Sequence, residues 1–258
     1  MDLDIRGLRV LVTAGAAGIG LEIARSFVRE GAKVHVCDVD NAALAALAAS
    51  DPDITRSHAD VASRSDVSRL FDEALSALGG LDVLVNNAGV AGPTARVDEV
   101  DPEDWDRTLQ VNITGQFNCA RLAVPHLRES KNASIINLSS AAGRFGFPLR
   151  SPYSASKWAA VGFTKTLAIE LGPLGIRVNA ILPGVVEGER IRRVIGSKAQ
   201  VRGISYEEME DEFLRNVSLK AAVAPQQIAD QIVFLCSPRG RTISGQAIAI
   251  DGDTQSLA

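Results

Sequence analysis

One pattern constrains the fold of this chain more than any other. Short apolar, β-branched runs at residues 9–13 (RVLVT), 33–38, 54–58, 82–86, 134–138, 177–182 and 246–250 alternate with longer stretches of helical periodicity. Those stretches cover 18–30, 41–50, 63–78, 101–128, 154–171 and 225–235, with breakers at Gly31, Asp51-Pro52, Gly79-Gly80 and Gly172-Pro173. A short run that is apolar throughout reads as a strand buried on both faces, and intervening helices supply the crossovers that parallel pairing needs. Right-handed crossovers then wind the sheet in both directions. The expectation is an α/β chain with a doubly wound parallel sheet of about seven strands and helices on both faces. No repeat, linker or shift in composition divides the 258 residues, so they are read as a single domain.

Composition closes off other classes. Apolar residues make up 46% and charged residues 22%, as in an ordinary globular chain, which excludes fibrous and disordered proteins. The formal charge of −4 lacks the basic balance of a nucleic-acid binder. No uncharged run approaches the roughly 18 residues of a membrane span. The start, Met1-Asp2-Leu3-Asp4, has neither the basic nor the apolar region of a leader. Cys37, Cys119 and Cys236 are too far apart for a CxxC, and with three isolated histidines no metal site is expected. These readings suit a cytoplasmic protein without nucleic-acid or membrane partners.

Segment 187–219 stands apart. It is far longer than the usual strand-to-helix connection of about 2–6 residues. Ser205 and Glu208 form a capping-box pattern, so a helix is expected to start there. Long insertions at the carboxyl end of a parallel sheet tend to cover ligands, so this one is read as a substrate lid. Its first half carries Arg190, Arg192, Arg193, Lys198 and Arg202; an acidic group from Glu207 to Glu212 follows. Arg190, with Arg144 and Arg150 adding to its field, is the candidate to meet an anionic substrate group, against the plainer account that the two clusters pair.

Two motifs carry the chemistry. Thr13-Ala14-Gly15-Ala16-Ala17-Gly18-Ile19-Gly20 lies between a strand and a helix. There glycines let the backbone turn sharply and approach a pyrophosphate, held by free N–H groups at the helix start. Asp38 ends the next strand eighteen residues past Gly20, near the spacing of an acid that binds an adenosine ribose. This is the signature of a Rossmann-type sheet. A Walker loop is excluded because Leu21-Glu22 follow Gly20. The second motif is Tyr153-Ser154-Ala155-Ser156-Lys157. Four residues at about 100° each bring Lys157 onto the same helix face as Tyr153, one turn along. A tyrosine of pKa near 10 is a poor base at neutral pH, and a neighbouring ammonium lowers that value. Ser140 follows a strand end thirteen residues before Tyr153, Asn112 is a polar residue within an apolar helical stretch, and Asn86-Asn87-Ala88-Gly89 ends a further strand. A GxSxG hydrolase signature is absent, and a methyltransferase has no use for the serine, tyrosine and lysine together.

With these residues in this order, the sequence resembles the short-chain dehydrogenase/reductase family from the strand at Arg9 to Ser244-Gly245-Gln246 and Asp251-Gly252. The resemblance implies catalysis by Asn112, Ser140, Tyr153 and Lys157. It implies nucleotide contacts from Thr13, Gly15, Ala17, Gly18, Ile19 and Gly20, from Asp38 with Val39, and from Asp60 and Val61 at the adenine. It implies further nucleotide contacts from Asn87, Ala88 and Gly89, from Pro183, Gly184 and Val186 at the nicotinamide, and from Tyr153 and Lys157. The implied activity is hydride transfer between NAD(H) and a secondary alcohol or its ketone, such as a sugar, polyol, hydroxy acid or similar small polar substrate, in a homotetramer built on the 101–128 and 154–171 helices. Phe117, Ala120, Val124, Ala160, Phe163 and Leu167 are the candidate interface residues. The alternatives are a 3-oxoacyl thioester reductase or a non-catalytic nucleotide sensor. Two positions depart from the family pattern: Ala14 stands where a glycine is usual, and Gly188 where a threonine is frequent.

Overall fold

The computed structural model describes residues 3–257; the reading of Met1-Asp2 as free of a leader lies outside them. Among the described residues, seven parallel strands pair in the order β3-β2-β1-β4-β5-β6-β7. They are β1 (Arg9–Thr13), β2 (Lys33–Asp38), β3 (Thr55–His58), β4 (Val83–Asn86), β5 (Ser134–Leu138), β6 (Arg177–Pro183) and β7 (Ala247–Ile250). Successive side chains of a strand point to opposite faces. In β1, Val10 and Val12 accordingly join one core and Leu11 the other; β4 divides Val83 and Val85 from Leu84 in the same way. One face is covered by α1 (Gly18–Arg29), α2 (Asn41–Ser50) and α9 (Pro225–Cys236), through residues such as Phe27, Leu47 and Ile232. The other is covered by α3 (Arg64–Leu78), α5 (Gly115–Leu127) and the end of α6 (Ser151–Leu171), through Leu70, Ala123 and Leu171. The expected doubly wound sheet is what forms.

Three elements differ from the sequence reading. The single helix expected over 101–128 is α4 (Pro102–Leu109), then a π turn (Gln110–Thr114), then α5. Inside the π turn Asn112 is fully buried and bonds across to residue 90. A π turn adds one residue to the helix and commonly marks a functional site. Helix α6 starts at Ser151 rather than 154, because Pro152 needs no N–H partner in a first turn. The inserted segment forms α7 (Glu189–Arg202) as well as the expected α8 (Tyr206–Arg215), whose Ser205–Glu208 capping box is present. Helix α7 is mostly polar and buries little beyond Ile195, Lys198 and Ala199, so its periodicity carried little signal. Ile195, Ala199, Met209 and Phe213 form a small core with Val185, separate from the two sheet cores.

The interface residues proposed from sequence mostly face inward. Ala120 and Ala160 are buried, and Val124, Phe163 and Leu167 pack against the sheet core. Of that group Phe117 is exposed, and Trp158 and Ile169 are exposed on α6.

A buried histidine makes this fold sensitive to acid. On β2, His35 sits between Thr55 Oγ1 (2.9 Å) and Ser57 Oγ (2.8 Å), and the Ser57 hydroxyl donates to Glu73 of α3. Burial pushes its pKa down to about 4, against the small opposing pull of Glu73. Above the ordinary value of 6.5 both folded and unfolded states hold a neutral ring, so its contribution to stability is complete. As pH falls from 6.5 to 4, the unfolded chain takes up a proton that the folded chain refuses, and stability falls by at most about 3 kcal/mol. Denaturant unfolding measured from pH 7.5 to 4 is expected to show this loss, and His35→Gln to flatten it. An unchanged slope in the variant would mean that other groups govern the acid response.

Candidate active site

The sheet order reverses beside β1: the chain moves outward through β2 and β3, then returns to β4 on the other side. Loops leaving β1 and β4 diverge at such a point and open a crevice at the carboxyl ends of the strands. Here the crevice is a cavity of about 750 Å³.

Its β1 end is the glycine loop. A Cβ on Gly20 would lie 2.1 Å from the carbonyl oxygen of Ala14 and 2.5 Å from Asn87 Nδ2, so only glycine fits. Ala14 itself has φ +49°, a left-handed conformation usually left to glycine, which explains why the family pattern has glycine there. The loop is fastened from below by β4. The Thr13 hydroxyl accepts from the Asn87 and Ala88 N–H groups, both at 3.0 Å. Asn87 Nδ2 donates back to the Thr13 and Ala14 carbonyls at 2.9 Å. The Asp38 carboxylate faces the same loop, accepting from Ala16 N and Asp40 N at 3.2 Å, with exposed Val39 beside it. Asp60 is held by Arg107 at 2.9 Å, and Val61 packs where a Cβ on Gly115 would be.

At the other end stand Ser140, Tyr153 and Lys157. Ser140 follows β5; its oxygen accepts from Ala142 N at 3.1 Å, and its side chain is close enough to help lower the pKa of Tyr153. The Lys157 ammonium lies 5.6 Å from the Tyr153 ring centre and donates to the Leu138 carbonyl at 2.9 Å. Ser139 fixes that turn of α6 by donating to the Lys157 carbonyl at 2.7 Å. Tyr153 is half-buried and lines the cavity. Burial raises its pKa most; the charges of Lys157, Arg190 and Arg150 and the Ser140 side chain outweigh that, and the net shift is downward. Lys157 is also lowered, by burial first and by Arg190, with Tyr153 opposing. Each of the two charges thus favours the other.

Asn112 occupies the π turn behind this pair. Its Oδ1 accepts from Val90 N (2.7 Å), and Nδ2 donates to Val90 O and to Ser156 Oγ (both 3.0 Å). Ser156 in turn donates to the Tyr153 carbonyl at 2.7 Å. The Asn112 side chain is therefore committed to bracing the β4 loop against α6. Pro183, Gly184 and Val186 close the cavity's far wall, where a Cβ on Gly184 would lie 2.7 Å from Asp251 Cα.

The structure brings most of the sequence-predicted residues to this one cavity: Ala17, Gly18, Ile19, Gly20, Asp38, Val39, Asp60, Val61, Asn87, Ala88, Gly89, Ser140, Tyr153, Lys157, Pro183, Gly184 and Val186. Thr13, Gly15 and Asn112 lie behind its wall. A Cβ on Gly15 would strike Val36 at 2.6 Å, so that glycine serves packing. Phe147 and Phe213 line the cavity from outside the motifs, and Arg150, expected only to add to the field of Arg190, lines it too. Only the proximity of Arg150 to the motif tyrosine hinted at its place.

Comparison with known proteins finds relatives over nearly the whole chain. The family described as enoyl-(acyl carrier protein) reductase matches residues 14–253. The 2-(S)-hydroxypropyl-CoM dehydrogenase 3 of Xanthobacter autotrophicus is 34% identical, over 96% of each chain. A crystal structure of NAD+-bound xylitol dehydrogenase superposes with a TM-score of 0.91 at 28% identity, over 96% of this chain and 99% of the other. A 3-ketoacyl-(acyl-carrier-protein) reductase from Brucella melitensis, complexed with NADH, gives 0.86 at 32% identity over 96% and 98%.

Proposed function

The chain belongs to the short-chain dehydrogenase/reductase family, and on that premise we propose that it transfers a hydride between NAD(H) and a secondary alcohol or its ketone. The observation that carries the reading is the Ser140–Tyr153–Lys157 cluster at the end of a cleft whose other end is a glycine loop. Residues 1–258 act as one dinucleotide-binding and catalytic domain, with 187–219 as its lid. A sensor without turnover has no need of the complete cluster. A 3-oxoacyl thioester reductase uses the same chemistry on a longer substrate and is the second reading, favoured by the Brucella reductase likeness.

The cleft fits NAD. A Cβ on Gly18 would meet no protein atom within 4 Å, so the α1 N-terminus is open to the cleft, and Asp38 presents a carboxylate where two ribose hydroxyls can donate. When bound, the cofactor would accept the hydride as NAD+ in oxidation and supply it as NADH in reduction. Tyr153 takes the carbinol proton in oxidation and returns it in reduction, its phenolate favoured by Lys157. Ser140, whose oxygen is already engaged by Ala142 N, donates toward the substrate oxygen. Lys157, whose nitrogen lies 3.3 Å from where a Cβ on Gly89 would be, would direct its remaining N–H groups to the nicotinamide ribose. The Asn112 side chain, expected from sequence to hold a relay water, is instead committed to Val90 and Ser156. Among the described residues no helix is long and apolar enough to cross a membrane. The three cysteines are free and buried, which suits a reducing, cytoplasmic setting. Exposed Phe117, Trp158 and Ile169 on α5 and α6 support a homotetramer built on those helices.

Three measurements test these statements. NAD is expected to exceed NADP in kcat/KM by at least about 100-fold, since a carboxylate beside a 2′-phosphate costs several kcal/mol; equal values would refute the role of Asp38. Tyr153→Phe is expected to bind NADH normally, followed by fluorescence, and to lose about 10²–10⁴-fold or more in kcat. Wild-type turnover by that variant would remove Tyr153 as the base. Light scattering is expected to give about four times the 27.3 kDa chain mass, and a stable monomer at micromolar concentration would refute the assembly.

A further inference from the structure

Resting on the hydride-transfer reading above, we propose that the substrate carries a compact oxyanion, a carboxylate or sulfonate, a few bonds from its carbinol carbon, and that Arg150 holds it. Arg150 is 2% exposed, yet it lines the cavity. Its Nη2 donates to the Ala91 carbonyl, and its Nε is buried without a hydrogen-bond partner. A charged group in such a place is ordinarily paired, because an uncompensated buried charge is costly. Among the described residues no carboxylate forms an ion pair with it.

Its neighbours are instead aromatic or cationic. The guanidinium carbon lies 5.3 Å from the Tyr153 ring centre and 5.5 Å from that of Phe147. Phe147 also receives the Lys198 ammonium at 4.0 Å, and Arg190 lies near enough to lower the pKa of Arg150. The acids lining the cavity lie elsewhere. Asp38 and Asp60 are at the glycine-loop end, Asp60 paired with Arg107; Glu187 and Glu189 are exposed at the start of α7. The tyrosine end is thus a low-dielectric region of positive charge with one donor unmet. A planar guanidinium there matches an oxyanion in shape and charge. Its distance from the Tyr153 ring keeps the anion close to the reacting carbon.

The pyrophosphate does not account for it, because the glycine loop lies at the opposite end of the cleft. A purely structural clamp does not either: the Ala91 bond ties the 90–95 segment to the start of α6 and leaves Nε unused. Nor do the residues favoured from sequence replace it. Arg144 is exposed, stacks 4.5 Å from the Phe145 ring, donates to Thr254 O and does not line the cavity. Arg190 is exposed and donates to the Gly89 carbonyl.

The test uses the full chain with NAD and matched pairs: 2- and 3-hydroxy carboxylates against their methyl esters, and 2-hydroxyalkanesulfonates against the corresponding methyl sulfones. The acid of at least one pair is expected to exceed its neutral partner in kcat/KM by about 10-fold or more, and the favoured pair tells carboxylate from sulfonate. Arg150→Met is expected to lower the acid's value about 10- to 100-fold more than the neutral partner's, chiefly through KM. Arg150→Lys is expected to recover part of that discrimination. Neutral partners served as well as the acids by the wild type would overturn the proposal, whether or not the methionine variant folds. Equal losses on both members of a pair would also overturn it, leaving Arg150 a clamp. Turnover of no pair and of no simple alcohol or ketone, with NADH still bound, would overturn the hydride-transfer reading and the proposal with it.

Discussion

The join between β1 and β4 is the constraint on which the rest of the molecule depends. Parallel strands have no tight turn to register them, so their relative position is set by pairing and by contacts between the loops that leave them. Here those loops are cross-linked: Thr13 accepts from the backbone of Asn87 and Ala88, and Asn87 donates back to the carbonyls of Thr13 and Ala14. The four bonds hold the glycine loop open in one geometry, with Ala14 in a left-handed conformation and Gly20 against its carbonyl. Residues that resemble ligand contacts in the sequence thus hold the cradle from beneath.

A second brace transmits that position to the chemistry. From the π turn, Asn112 grips both backbone groups of Val90, just past the β4 loop, and reaches Ser156 on α6. Ser139 fixes the Lys157 carbonyl from the end of β5. The serine, tyrosine and lysine are therefore referenced to three neighbouring elements. Residues held this way lose little freedom when substrate arrives, which is what oriented proton transfer requires.

Electrostatically, the tyrosine end combines burial with positive charge. Burial alone makes Tyr153 a weaker acid; the charges of Lys157, Arg190 and Arg150 reverse that shift. The same charges disfavour one another, and Lys157 and Arg150 are both lowered in part by Arg190. The wall opposite is built on the small α7–α8 core, with Phe213 meeting Phe147 edge to face at 6.1 Å. That core is distinct from the two sheet cores, so the covering segment is shaped largely by its own packing.

Much of this was legible in the chain itself. Runs such as RVLVT, the breakers between them and the crossover rule were enough for the seven-strand parallel sheet, since strand burial and helix periodicity are local properties. Glycine spacing with Asp38, and the i, i+4 relation of Tyr153 and Lys157, were equally local and located the two ends of the cleft. Packing between distant segments decided the remainder. Whether Ala120 or Phe117 faces outward depends on which side of α5 meets the sheet. The π turn at Asn112 arises from a partner twenty-two residues away, Val90. The neutral state of His35 depends on burial beneath α3. The approach of Lys198, Arg190 and the Ala91 carbonyl to the Phe147–Arg150 corner, with no ion-paired carboxylate for Arg150 among the described residues, emerges only when α6, α7 and the β4 loop converge. No periodicity within one segment encodes such a meeting, because it is fixed by contacts that exist only after the crossovers have closed.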